Sequence, residues 1–171
     1  MSGSLESTGI PSMEELEAAS RFPTKDRLMK GPVAVIECLQ KIPCNPCEKA
    51  CPFGAIKVNG LIGLPELNGE ICTGCGSCIA HCPGLAIFVI DCTFSEDDAL
   101  IHFPYEYLPL PEVGSIVNAT DRAGKVVTKG KVVKVLARKS FDHTAVVSIS
   151  VPKKFVNEVR GIAMPDRGEK A

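Results

Sequence analysis

The sequence predicts an α+β protein in two parts. Residues 32–95 form a compact cysteine-bearing unit with a pseudo-twofold repeat, and residues 111–165 form a small antiparallel β barrel or sandwich. Three observations predict this. All nine cysteines of the 171-residue chain fall between Cys38 and Cys92. CNPCEKACPFGAIKV, starting at Cys44, recurs at an offset of 31 residues as CGSCIAHCPGLAIFV, starting at Cys75. After residue 110, β-branched runs alternate with short turn sequences.

Residues 1–31 read as an arm with one short helix. In SMEELEAAS, Ser12 is the N-cap and Glu15 follows three residues on, a capping box with acidic residues in the first turn. The repeat follows, each copy ordered strand, cysteine loop, short helix, strand, as expected of two supersecondary units about a pseudo-twofold axis. PVAVIE (32–37) is a strand leading straight into Cys38, and AIFVI (86–90) closes the second unit. Between them, AIKV-NG-LIGL signals a hairpin, Asn59-Gly60 suiting a two-residue type I′ turn. Residues 96–110, EDDALIHFPYEYLPL, read as a bridge, where acidic residues give way to aromatics and prolines. EVGSIVNA, GKVVTKGKVVKVLA and TAVVSISV then supply strands, with DRAG, TKG and RKSFDH as breaks. Residues 166–171 read as a frayed tail.

Charge divides along the same line. Residues 1–110 carry 7 Lys/Arg and 14 Asp/Glu, whereas 111–171 carry 12 and 6. Such asymmetry suggests parts with different surfaces. The opening residues have neither a basic start nor an apolar run, so no signal peptide is visible. An odd cysteine count leaves a thiol over in any disulfide scheme. The expectation is a soluble, cytoplasmic protein with no membrane span, in a reducing compartment where grouped cysteines bind metal. GKVVTKGKVVKVLARK alternates lysine with valine as a half-buried strand pair does. It lacks interleaved aromatics for stacking bases, so no nucleic acid is expected as partner.

The chemistry lies in Cys72-x2-Cys75-x2-Cys78-x3-Cys82-Pro83. A [4Fe–4S] cubane needs four thiolates reaching four iron corners. A tight CTGCGSC loop supplies three, and in two-cluster proteins the last cysteine crosses to the other cluster. Gly74 and Gly76 are candidate cofactor-binding positions, because they let backbone N–H groups approach the sulfurs. Zinc sites typically use two separated C-x2-C pairs and lack this three-plus-one-plus-Pro pattern. The first half departs from the pattern: Lys41 stands where its first cysteine belongs. Cys38, at the end of PVAVIE, turns that half into C-x5-C-x2-C-x3-C-P and can swing onto the open corner. The other reading is a three-cysteine site, with a [3Fe–4S] cluster or a non-cysteine fourth ligand. Cys92 reads as a small buried side chain and His81 as an outward-facing spacer. His102 and His143 are isolated.

Residues 33–92 resemble a bacterial-type ferredoxin domain with two [4Fe–4S] clusters. The resemblance implies Cys51, Cys72, Cys75 and Cys78 as metal ligands of one cluster. It implies Cys44, Cys47 and Cys82 as three ligands of the other, with Cys38 the candidate fourth. MKGPVAVIECLQKIPCNPCEKACPFGAI is also similar to small iron–sulfur subunits of multi-subunit, FAD-dependent amino-acid and amine dehydrogenases, of proline, hydroxyproline and opine type. That likeness implies FAD on partner flavoprotein subunits and no catalytic residue or small-molecule substrate on this chain. The chain itself has no Gly-rich phosphate loop for flavin or nicotinamide. The expected function is an electron-transfer subunit of such a hetero-oligomeric complex. The alternative is a freestanding soluble ferredoxin-type carrier, which could end near residue 95. Truncation after about residue 96 is therefore expected to abolish partner binding and to retain the brown colour.

Overall fold

The computed structural model describes residues 5–20 and 22–164. The expected tail, 166–171, lies outside the described residues. In the arm, the Ser12 hydroxyl accepts from the Glu15 amide and the Glu15 carboxylate accepts from the Ser12 amide. This is the expected capping box, and it opens helix α2 (Met13–Ala18). The same carboxylate also accepts from the Leu5 amide, fastening a preceding turn, α1 (Leu5–Thr8). A third turn, α3 (Lys25–Leu28), is capped by Thr24. Among its described residues the arm thus holds three short helices where one was expected. Leu16 and Leu28 anchor it in the core.

The repeat runs β1 (Val33–Ile36), α4 (Pro46–Ala50), β2 (Ile56–Val58), β3 (Pro65–Leu67), α5 (Ser77–Ala80) and β4 (Ile87–Asp91). Strand β1 pairs antiparallel with β4, Ile36 opposite Ile87, and β2 pairs with β3, Ile56 opposite Leu67. Moving Ile36 on by 31 gives Leu67, and moving Ile87 back by 31 gives Ile56. One pair therefore maps onto the other, and the sequence repeat is a repeat of register. The hairpin is present, but its turn is not the expected two-residue one. Pairing stops at Val58 opposite Pro65, leaving six residues, 59–64, in the loop. The reason lies at the loop's end: Pro65 lacks the N–H that would continue the ladder inward.

The larger departure concerns the boundary at 96–110. Residues there form β5 (Asp98–Tyr105), with β6 (Ile116–Thr120), β7 (Val126–Leu136), β8 (Ala145–Pro152) and β9 (Gly161–Ile162) following. All but β2 and β3 join one seven-stranded sheet in the order β1-β4-β5-β8-β7-β6-β9, every pairing antiparallel. The expected bridge is a central strand, paired with β8 over eight residues from Asp98–Pro152 to Tyr105–Ala145. The expected closed barrel or sandwich is an open sheet with β1 and β9 at its edges. The two expected parts share that sheet. TKG is no break either, since Thr128–Gly130 lie within β7. Gly130 is where β7 presses on β8: a Cβ there would stand 3.1 Å from Ile149 and Val151.

Two apolar groups of side chains result. One joins β1, β4, β5 and β8 through Val33, Val35, Ile90, Ile101, Phe103, Val147 and Ile149. The other packs Ile36, Ile56, Ile79 and Val89 with Phe141 and Val146 around Cys47 and Cys78. Residues from the C-terminal half thus form part of the wall around the cysteines.

Candidate metal centres

Two cavities flank the repeat, each lined by four cysteines. The first is lined by Cys51, Cys72, Cys75 and Cys78, with Ala34, Ile56, Gly74, Gly76 and Val89 among the walls. The second is lined by Cys38, Cys44, Cys47 and Cys82, with Ile36, Pro65 and Ile87. The structure therefore brings all eight cysteines together in the groupings expected. Cys38 faces the same space as Cys44, Cys47 and Cys82, while Lys41 is exposed. Cys92 lines neither cavity and is 6% exposed in the apolar core of the sheet.

Helix register explains the crossing. Cys47 lies in α4 and Cys51 at its C-cap, four residues on, so one turn of helix spans from one cavity to the other. Cys78 in α5 and Cys82 beyond it repeat the arrangement. Backbone amides then meet the crossing sulfurs in both copies: Ala55 N–H donates to Cys51 Sγ at 3.2 Å, and Ala86 N–H to Cys82 Sγ at 3.4 Å. These pairs are again 31 residues apart. Ala34 N–H donates to Cys72 Sγ at 3.5 Å. Such donors stabilise thiolate charge and tune the potential of iron bound to it.

Burial and neighbouring thiols disfavour a free thiolate at one cysteine of each set. Burial pushes the Cys78 thiol up to about 12, with Cys72, Cys75 and Cys51 adding repulsion. Burial pushes Cys47 up to about 11, with Cys82 and Cys44 adding to it. The repelling neighbours are the members of each group of four. Four thiolates in one apolar pocket repel one another unless metal neutralises them. Among the described residues, no three His, Cys, Asp or Glu side chains are grouped to hold one metal ion. Each set surrounds a cavity instead, the layout for a cubane in which every thiolate binds its own iron.

Gly74 and Gly76 both line the cavity at Cys72. Gly74 has φ +64°, and a Cβ on it would stand 2.5 Å from Pro32 Cβ and 2.7 Å from the Pro32 carbonyl carbon. Close packing against the start of β1 thus requires glycine there. Gly76 is the left-handed N-cap of α5, at φ +79°. His81 is exposed; its Nδ1 lies 2.7 Å from the Ser77 carbonyl and its ring meets Phe141 edge-on at 6.0 Å. It touches the C-terminal half, whereas the sequence suggested only a spacer. His102 is half-buried in the sheet, Nδ1 2.7 Å from Ser148 Oγ.

Sequence reasoning missed the arginines. From the arm, Arg27 donates to the carbonyls of Gly69, Gly31, Pro32 and Cys72, at 2.6, 3.0, 3.1 and 2.7 Å. It clasps the entry to the CTGCGSC loop. From the C-terminal half, Arg122 and Arg160 meet Glu37, the residue before Cys38. Only a lone arginine between Thr24 and the repeat, and a glutamate ending an otherwise apolar run, hint at these contacts in the sequence.

The cysteine motifs and the two four-cysteine cavities mark an iron–sulfur domain. Residues 42–86 match the family of 4Fe-4S dicluster domains, so the chain carries a dicluster ferredoxin domain. It is similar to one subunit of the ion-translocating oxidoreductase complex of Methanosarcina acetivorans, 52% identical over 46 residues, covering 27% of this chain and 17% of that protein. The ferredoxin-type protein NapF of Haemophilus influenzae is 36% identical over 61 residues, covering 34% of this chain and 35% of that one. Protein NrfC of Escherichia coli is 36% identical over 52 residues, covering 30% and 23%. The chain thus spans between 17% and 35% of the length of these relatives. No solved structure matches it. Among the described residues, no helix is long and apolar enough to cross a membrane.

Proposed function

We propose that this chain is the electron-transfer subunit of a multi-subunit flavin-dependent oxidoreductase. It would relay single electrons between a flavin on a partner and a further acceptor. The carrying observation is the pair of four-cysteine cavities, joined by one-turn helices that contribute a thiol to each. On this reading Cys51, Cys72, Cys75 and Cys78 hold one [4Fe–4S] cluster, and Cys38, Cys44, Cys47 and Cys82 the other. When bound, the clusters supply one-electron carriage; a flavin reduced by a hydride holds two electrons, which such carriers remove singly. The chain's own residues hold the thiolates, exclude water with the surrounding aliphatic side chains, and direct amide N–H groups at sulfur.

The subunit role draws support from relatives named as subunits of oxidoreductase complexes. The flavoprotein partner, of amino-acid or amine dehydrogenase type, is carried by the resemblance of residues 29–92 alone.

Iron and sulfide analysis of anaerobically purified protein, with EPR before and after reduction, tests the cofactors. About eight irons per chain with spin-coupled signals is expected. Cys38→Ser is expected to disturb one cluster and leave the signal of the Cys72 site. Iron unchanged in that variant, with no new paramagnetic signal, removes Cys38 as a ligand. Size-exclusion chromatography of a native preparation tests the subunit reading: a lone 18.2 kDa species with no flavoprotein co-eluting overturns it.

A further inference from the structure

Glu37 follows β1 and directly precedes Cys38. It is 8% exposed, and its carboxylate receives three N–H bonds from two arginines far along the chain. Arg122, just past β6, donates from Nε to Oε2 at 2.8 Å and from Nη2 to Oε1 at 2.6 Å. Arg160, just before β9, donates from Nε to Oε1 at 2.7 Å. Arg160 is itself only 6% exposed, and its guanidinium carbon lies 5.3 Å from the Phe88 ring centroid and 5.9 Å from that of Phe22. Its Nη2 has no hydrogen-bond partner among the described residues, leaving the ring faces as its neighbours.

Stability alone is a poor account of this group. Buried ion triads are commonly replaceable by apolar side chains with no loss, because desolvation offsets the attraction. Their attested use is to fix one arrangement, and the location shows which. Five residues separate Cys38 from Cys44, against two between Cys72 and Cys75. The longer loop is less constrained by its own closure, and much of it (Gln40 to Pro43) is exposed. Its root is held from outside. In the second unit Arg27 plays the equivalent part, donating to the carbonyl of Cys72 itself. Each cysteine loop is thus entered past an arginine brought from outside the repeat.

We propose that Arg122, together with Arg160, is a positioning residue for Cys38: acting through Glu37, the C-terminal strands aim the Cys38 thiolate into the cavity it shares with Cys44, Cys47 and Cys82. This rests on Cys38 being the fourth ligand of that cluster. The bidentate fork matters because it fixes the direction of the carboxylate, and with it the end of β1, as a point charge does not.

The test compares holoprotein with its Arg122→Ala and Arg122→Lys variants, following iron release to a chelator and the EPR of the reduced clusters. In Arg122→Ala, half of the iron is expected to leave about tenfold faster than in wild type, the low end of what losing an outer partner of a ligand does to metal affinity. The remaining half and its signal are expected unchanged, with Arg122→Lys intermediate. Release of both halves at the wild-type rate overturns the inference. So does equal acceleration of both halves together with a lowered melting temperature, which marks a merely structural role. Wild-type protein with about seven irons and a [3Fe–4S] signal when oxidised overturns the Cys38 reading itself, and a two-cubane wild type with an unaffected variant overturns only the positioning.

Discussion

Removing everything after residue 110 takes away β6 to β9 and leaves β1 to β5 with all nine cysteines. The loss to the remainder follows from what those strands cover. Glu37 loses both guanidinium partners and stays at the end of a fully buried strand, at about 3–5 kcal/mol for a buried charge deprived of its pair. Strand β5 loses its eight-residue partner. Ile101 and Phe103, 0% and 1% exposed, lose the cover of Val147 and Ile149, at about 1.5–3 kcal/mol each. Together this is roughly 6–11 kcal/mol, against the 5–15 kcal/mol that typically separates folded from unfolded domains. The truncated chain is expected not to fold cooperatively and, after anaerobic reconstitution, to retain little iron against a chelator. This reverses the expectation drawn from sequence, in which the cysteine unit stood alone. A truncated protein with wild-type iron content and a cooperative melt would refute the reasoning.

Other outcomes follow from single side chains. Gly74→Ala places a Cβ against the Pro32 backbone in a left-handed conformation, costing about 2–4 kcal/mol; the expected result is a lower melting temperature with loss of the Cys72-site signal. Cys92→Ser replaces a buried thiol with a more polar hydroxyl in the sheet core, and is expected to cost about 1–3 kcal/mol while iron content stays at the wild-type value. Burial pushes His102 down to about 4 from 6.5, chiefly by desolvation, with Lys134 adding to the depression and Asp91 opposing it. Its folded pKa is depressed, so the unfolded chain takes up a proton first. Stability is expected to fall as pH drops from 6.5 toward 4, by up to about 3 kcal/mol. His102→Gln is expected to flatten that part of a denaturation-against-pH curve, and an unchanged slope contradicts it.

What the sequence made legible was local or repeated. The capping box at Ser12 and Glu15 depends on residues three apart, and the strands of the repeat announce themselves in β-branched runs beside matched cysteines. The groupings of eight thiols came from the repeat and the family resemblance, and the cavities follow the same partition. What stayed hidden was long-range. In β5 the alternation of Ala99, Ile101, Phe103 and Tyr105, all buried, was present to be read, but Pro104 argues against a central strand. The register removes the conflict. Strand β4 pairs with β5 only as far as His102, so Pro104 needs no donor on that side. The arginines were hidden for a similar reason. Glu37 and Arg160 are 123 positions apart, and nothing in either neighbourhood signals the other. Excess positive charge after residue 110 suggested an external surface, yet two of those charges point inward.

The two short helices also bear on the electron's path. On the proposed ligand sets, α4 offers Cys47 to one cluster and Cys51 to the other, and α5 offers Cys78 and Cys82 likewise. Four residues of helix advance about 6 Å, so an electron has two parallel through-bond routes, each little more than one turn long. Both routes run along helical backbone and its C-terminal cap. On the proposed function, each route would join the two clusters through the backbone of this one chain.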